Sequence, residues 1–298
     1  MSLGLIAGLL TSVAWGVVDI TAALSGHRVG SLRTLAATLG ISVAVLLGFI
    51  ALDPTRLGPD PIAGITAGLP VGVLAGAAYL GYFTALKLGP LAVVSPIIIA
   101  YGGLTVILAV LLRGETLLPL QAAGAVLATV GVILTGVVFS RRSLRSARLV
   151  GPGVLIAFVT IGLFALVTVL MSGPIREHGW LSVAFGSRIA NASFALTLLV
   201  IGSRGSTFLR PLMIPGNPWN RTVVLLVLAT GVADVAGFIL FAIGLGIAPV
   251  WLIGLASSFG PVLAIGYAVW RMGERLRPTQ WAGLALLGVG VIVLAVSG

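Results

Sequence analysis

The chain has 298 residues, 59% of them hydrophobic and 8% charged, with 17 basic residues against 7 acidic and a net charge of +10. A soluble domain carries about 25% charged residues, so this chain cannot cover itself for water, and lipid is its expected solvent. It has no cysteine, which excludes disulfides, thiolate metal sites and cysteine nucleophiles. Its arginines sit at the ends of apolar runs rather than on one basic face, which argues against a nucleic-acid partner and for a basic rim facing anionic lipid.

Apolar runs long enough to cross a bilayer as helices fall at 3–24, 31–52, 63–86, 91–112, 118–139, 150–172, 180–202, 222–243, 249–271 and 278–297. The expected fold is therefore an all-α membrane protein of ten transmembrane helices. Nothing basic precedes the first run, whereas His27 and Arg28 follow it, so it is read as a retained span and not a cleaved signal. Loops 1–2, 3–4, 5–6, 7–8 and 9–10 hold most of the Arg and Lys, whereas the other side holds Arg56, Arg113 and Arg176. The bias puts both termini on the periplasmic side of an inner membrane and the segment 141–149 in the cytoplasm.

Polar, aromatic and Pro residues inside these runs are the candidates for chemistry. The first run holds Trp15 and Asp19, the latter about five residues from its end, where it either reaches water, pairs with Arg28 or takes part in ion coupling. The third holds Gly64, Gly68, Gly72 and Gly76 at four-residue spacing, a stripe that lets helix backbones approach closely. It also holds Pro70, Tyr79 and Tyr82, and the fourth run holds Ser95, Pro96 and Tyr101. Arg188 and Asn191 share one face of the seventh run, and Asp234 lies halfway along the eighth. Arg188 either clamps a substrate carboxylate or forms a fixed pair with Asp234; Asp234 otherwise serves as a proton-coupling group or an ammonium anchor. The ninth run holds Ser257, Ser258 and Pro261. Pro70, Pro96 and Pro261 each remove a helical hydrogen bond and are candidate helix breaks or gates, with Ser95 and the Ser257–Ser258 pair lining a cavity beside them. Trp15, Tyr79, Tyr82 and Tyr101 are deep enough to wall that cavity and to offer cation–π contacts. Trp180, Trp251, Trp270 and Trp281 lie near span ends and suit the interfacial belt.

The chain repeats itself. At a constant offset of 159, residues 114–134 and 273–293 match at 12 of 21 positions, Glu, Pro and Gln among them, which shared hydrophobicity alone does not produce. The same offset maps Pro90 onto Pro249, whereas the first two runs of each half align poorly. The halves are 1–140 and 150–298, joined by the basic linker 141–149. Five spans per half is odd, so the second half enters the membrane inverted, and two inverted repeats can exchange conformations to give alternating access. Glu115 and Glu274 then fall on opposite faces and serve as caps of the helices that follow them.

Ten spans in two five-span halves, Trp15-Gly16, and the Gly114-Glu115 to Gln121 to Gly124 pattern repeated at Gly273-Glu274 to Gln280 to Gly283 resemble the EamA-type family of the drug/metabolite transporter superfamily. Ala85-Leu86-Lys-Leu-Gly-Pro-Leu-Ala92 and Gly244-Leu-Gly-Ile-Ala-Pro249 are similar to another pattern of that family. The resemblance implies a secondary transporter of small metabolites, commonly an exporter of amino acids or related compounds.

The sequence carries no His-Glu-x-x-His or Gly-x-Ser-x-Gly motif, and its two histidines lie near span ends, so no enzyme, metal site or cofactor is expected. One deep arginine with nearby carboxylates suits a zwitterion. The expected partners are a small-molecule substrate, membrane lipid and, as coupling ion, protons. A passive facilitator or channel, or a multidrug exporter of the same superfamily, is the alternative.

Overall fold

The computed structural model describes residues 3–88, 94, 97–98, 100–136, 151–213, 219–272 and 276–297. The described residues build helices α1 (Leu3–Val29), α2 (Ser31–Leu52), α3 (Pro61–Leu88), α4 (Tyr101–Arg113), α5 (Pro119–Gly136) and α6 (Pro152–His178). They continue with α7 (Trp180–Ser203), α8 (Arg221–Ile247), α9 (Val250–Ser257), α10 (Pro261–Met272) and α11 (Pro278–Ser297). No strand occurs among them. This follows from the solvent: in hydrocarbon a spanning segment must satisfy its own backbone, which a helix does locally. Among the described residues, seven helices, α1, α2, α3, α6, α7, α8 and α11, are long and apolar enough to cross a membrane, and α4 and α5 are shorter apolar helices.

Several helices outrun their apolar stretches. α1 continues to Val29 and α6 to His178, so Asp19 lies ten residues from the end of its helix, not five. That puts Asp19 roughly 15 Å from the helix end at about 1.5 Å per residue. α3 runs unbroken through Pro70, contrary to the expected break. A proline costs one backbone bond locally, and here the flanking turns are held against α7. The ninth run does divide: α9 ends at Ser257 and α10 opens on Pro261, a first-turn position where a proline sacrifices no helical bond. Ser95, Pro96, Glu274 and the linker 141–149 lie outside the described residues.

Gly30 joins α1 to α2 at φ 94°, and Gly179 joins α6 to α7 at φ 92°, a conformation glycine adopts without steric cost. These two hinges are 149 residues apart, not 159. The difference arises where α7 and α8 are connected by residues 204–220, a longer loop than 53–60 between α2 and α3. That insertion is the reason a single offset fails for the first two spans of each half.

Helix packing is reciprocal between the halves. α1 packs on α8 as α3 packs on α6; α1 on α10 as α4 on α6; α2 on α8 as α3 on α7. The helices α5 and α11 run antiparallel. Gln121 Nε2 near the start of α5 donates to Ser297 O at the end of α11 over 3.1 Å. Gln280 Nε2 near the start of α11 donates to Thr135 O near the end of α5 over 3.4 Å. Small residues allow this contact: a Cβ on Gly283 would fall 2.7 Å from Gly131 O, and one on Gly290 would fall 2.8 Å from Gly124 O.

Candidate functional site

The halves enclose a cavity of about 400 Å³, within the ~300–1,000 Å³ usual for small-molecule sites. α1 supplies Trp15, Val18 and Asp19; α3 supplies Ala75, Tyr79 and Tyr82; Tyr101 opens α4. From the second half come Phe164, Val167, Thr168 and Met171 on α6, Ser187, Arg188 and Asn191 on α7, and Asp234, Phe238 and Phe241 on α8. Ser257, Ser258 and Gly260 come from the break between α9 and α10. Ile98 completes the lining.

Arg188 is held by its helix neighbours. The glycine stripe of α3 lets α7 approach so closely that a Cβ on Gly68 would meet Val183 O and one on Gly72 would meet Ser187 O. Behind this contact, Arg188 Nη1 lies 3.0 Å from Asp234 Oδ2, and the two side chains are only 4% and 5% exposed. The guanidinium also sits over the Phe238 ring, with Cζ 3.7 Å from its centroid. Asp234 and Phe238 are one helical turn apart on α8, so a single face supplies both the charge and the ring. Arg188 Nε and Asn191 Oδ1 have no hydrogen-bond partner among the described residues.

Asp19 differs. It is exposed within the cavity and forms neither ion pair nor hydrogen bond among the described residues, so of the alternatives open to it the pair with Arg28 does not occur there. Tyr79, Tyr82 and Tyr101 line the same cavity. The aromatic wall is packed ring on ring: Trp15 against Phe241 at 5.2 Å, and Tyr79 edge-on to Phe164 at 5.4 Å. Tyr101 OH and Ser257 Oγ are 3.2 Å apart. Ser257 and Ser258 donate to Gly254 O and Leu255 O, which satisfies carbonyls left over where α9 ends. Gly16 of α1 abuts the broken segment, where a Cβ would fall 2.7 Å from Gly260 O.

The structure thus brings Trp15, Asp19, Tyr79, Tyr82, Tyr101, Arg188, Asn191, Asp234, Ser257 and Ser258 to one cavity. The α6 residues and Phe238 and Phe241 were not foreseen. At offset 159 Phe238 and Phe241 correspond to Tyr79 and Tyr82, and Asp234 to Ala75. At offset 149 Phe164, Val167 and Thr168 correspond to Trp15, Val18 and Asp19. The repeat was the available signal, used with one offset where two are needed.

Two other expectations are corrected. Glu115 does cap a helix, but not the one that follows it: its carboxylate accepts from Val250 N at 2.9 Å and Trp251 N at 3.0 Å, at the start of α9 in the other half. Arg176 reinforces that end of the molecule by donating to Leu245 O and Ala248 O. Trp251 is only 4% exposed and belongs to the core, not to an interfacial belt, whereas Trp270 is 83% exposed.

A helical bundle too apolar for water, with duplicated packing around a central aromatic cavity, is that of an integral membrane protein, and the family match that follows makes it one of the transporter class. The sequence pattern of the EamA-like transporter family matches residues 2–137 and again 151–296, and the chain belongs to that family. One solved crystal structure superimposes with a TM-score of 0.77 over 98% of this chain and 96% of the other, at 20% identity, a likeness of fold. No curated protein matches the chain.

Proposed function

We propose that the chain is a secondary transporter that moves amino acids or similar zwitterions outward across a bacterial inner membrane by alternating access. In this reading ten spans form two inverted repeats, 1–140 and 150–298, with linker 141–149 in the cytoplasm and both termini in the periplasm. The observation that carries it is the cavity lined by both halves, with Arg188 and two carboxylates in its wall. The reciprocal bonds of Gln121 and Gln280 support the inversion.

A bound zwitterion lies among Trp15, Tyr79, Tyr82 and Tyr101, with Ser95, Asn191, Ser257 and Ser258 as further polar contacts. Arg188 stays paired with Asp234 and meets the substrate as part of that pair, and Asp19 or Asp234 carries a coupling proton. Pro96 and Pro261 mark the helix breaks that move, and Pro70 stiffens the packed face of α3. The test is counterflow in proteoliposomes with a panel of unlabelled amino acids against labelled tracers, with and without a pH gradient. Accelerated exchange of particular amino acids is expected, with accumulation driven by the gradient. No acceleration by any of them, in folded protein, contradicts the amino-acid reading.

A further inference from the structure

The two carboxylates of the cavity are not equivalent. Asp234 is already engaged at 3.0 Å by Arg188 and is almost fully buried. Asp19 is exposed in the cavity and has no partner among the described residues. The described lining thus holds two carboxyl groups, Asp19 and Asp234, against one guanidinium, Arg188. The repeat concentrates this asymmetry, because Asp19 corresponds to Thr168 and Asp234 to Ala75, so neither carboxylate has a counterpart in the opposite wall.

The surroundings of Asp19 fit an ammonium group. Trp15 lies one turn earlier on the same helix, and Tyr79, Tyr82 and Tyr101 line the same cavity. Aromatic faces attract a cation through their quadrupole, and the adjacent carboxylate supplies its counter-charge. A substrate carboxylate has no comparable place: Arg188 is already neutralised by Asp234 at 3.0 Å, so a second carboxylate there meets an existing ion pair and not a free cation, and taking Asp234's place would leave a buried charge unpaired.

From this we infer that Asp19 is the specificity-determining residue of the cavity: it anchors the ammonium group of the substrate, and the substrate's carboxylate is dispensable. The inference rests on the cavity being the substrate site. Amines with an apolar body then bind at least as well as the matching amino acid, and the matching organic anion is rejected.

Three probes sharing one phenyl body decide it: 2-phenylethylamine, phenylalanine and 3-phenylpropionate, titrated calorimetrically into the purified protein in lipid nanodiscs. The expected order is the amine at least equal to phenylalanine, with no detectable binding of the anion. Asp19→Asn weakens the amine by at least about 30-fold, the lower end of the cost of removing one partner of a desolvated charge pair. Asp19→Glu restores most of the binding, which a merely structural effect of the substitution would not explain. Phenylalanine binding tenfold tighter than the amine, anion binding, or amine binding indifferent to Asp19→Asn would overturn the inference. Binding of none of the three also overturns it; accelerated counterflow of another solute would then leave the transporter reading standing. The order of the three probes in the unaltered protein is itself decisive should a variant fail to fold.

Discussion

Gln121 and Gln280 make the same pair of hydrogen bonds at opposite ends of one helix pair. Each carbonyl accepts from the backbone N–H three residues earlier, Leu118 or Arg277, at 3.0 Å. Each amide donates to a carbonyl near the far end of the other's helix. Pro119 and Pro278 occupy the first helical position and the glutamines the third, where a side chain can reach back to the cap N–H. The duplicated Pro-x-Gln is therefore a helix start that also ties the two halves together. Replacing either Gln with Ala should lower stability by a similar amount, about 1–2 kcal/mol, from a lost cap of about 1 kcal/mol and an interhelical bond averaging about 0.6 kcal/mol. Unfolding in detergent, followed by tryptophan fluorescence, measures both; a large loss at one Gln and none at the other would refute the equivalence.

The buried pair of Arg188 and Asp234 makes an unusual mutational prediction. Arg188→Gln or Asp234→Asn alone leaves a charge with no counter-ion at a site about 5% exposed, and each should cost about 3–5 kcal/mol. The double variant carries no charge there and should recover much of that loss. A double-mutant cycle on the same unfolding assay checks this. Additive losses would mean that the pair is not coupled in the folded protein.

Glycines in this chain divide by what they face. A side chain at Gly72 would meet Ser187 O and Ala190 Cβ, whereas Gly40 and Gly48 on α2 have nothing within 4 Å. Gly72→Val should separate α3 from α7, displace Arg188 and abolish transport, with a stability loss of about 2–3 kcal/mol from overpacking. Gly48→Ala should be tolerated, within about 1 kcal/mol of the parent. Purification yield and counterflow of the two variants side by side distinguish them, and a fully active Gly72→Val would remove the close approach from the account.

Much of the site was legible because charge is scarce in an apolar chain. Asp19, Arg188 and Asp234 stand out for that reason alone, and the tyrosines stand out through depth. Phe164, Val167 and Met171 do not, since an apolar residue facing a cavity and one facing lipid have the same composition signal. Only the repeat separates them, and the longer loop 204–220 shifted its offset by ten residues between α7 and α8. The partner of Glu115 was equally hidden: a carboxylate at a span end signals a cap, but the capped helix is set by tertiary packing of α9 against α4. Trp251 shows the converse, a span-end tryptophan that interior packing has claimed.

The central claim, that one cavity serves the two membrane faces in turn, is tested most directly by labelling a single cysteine. The native chain has none, so Val167→Cys, at a partly exposed position of the cavity wall, gives an unambiguous reporter. An impermeant thiol reagent is applied to one face or the other of oriented vesicles, with and without a transported solute. Alternating access predicts labelling from either face, with the solute shifting reactivity toward one face at the expense of the other. Equal labelling from both faces, unmoved by any solute, would indicate a continuously open pathway and contradict the account.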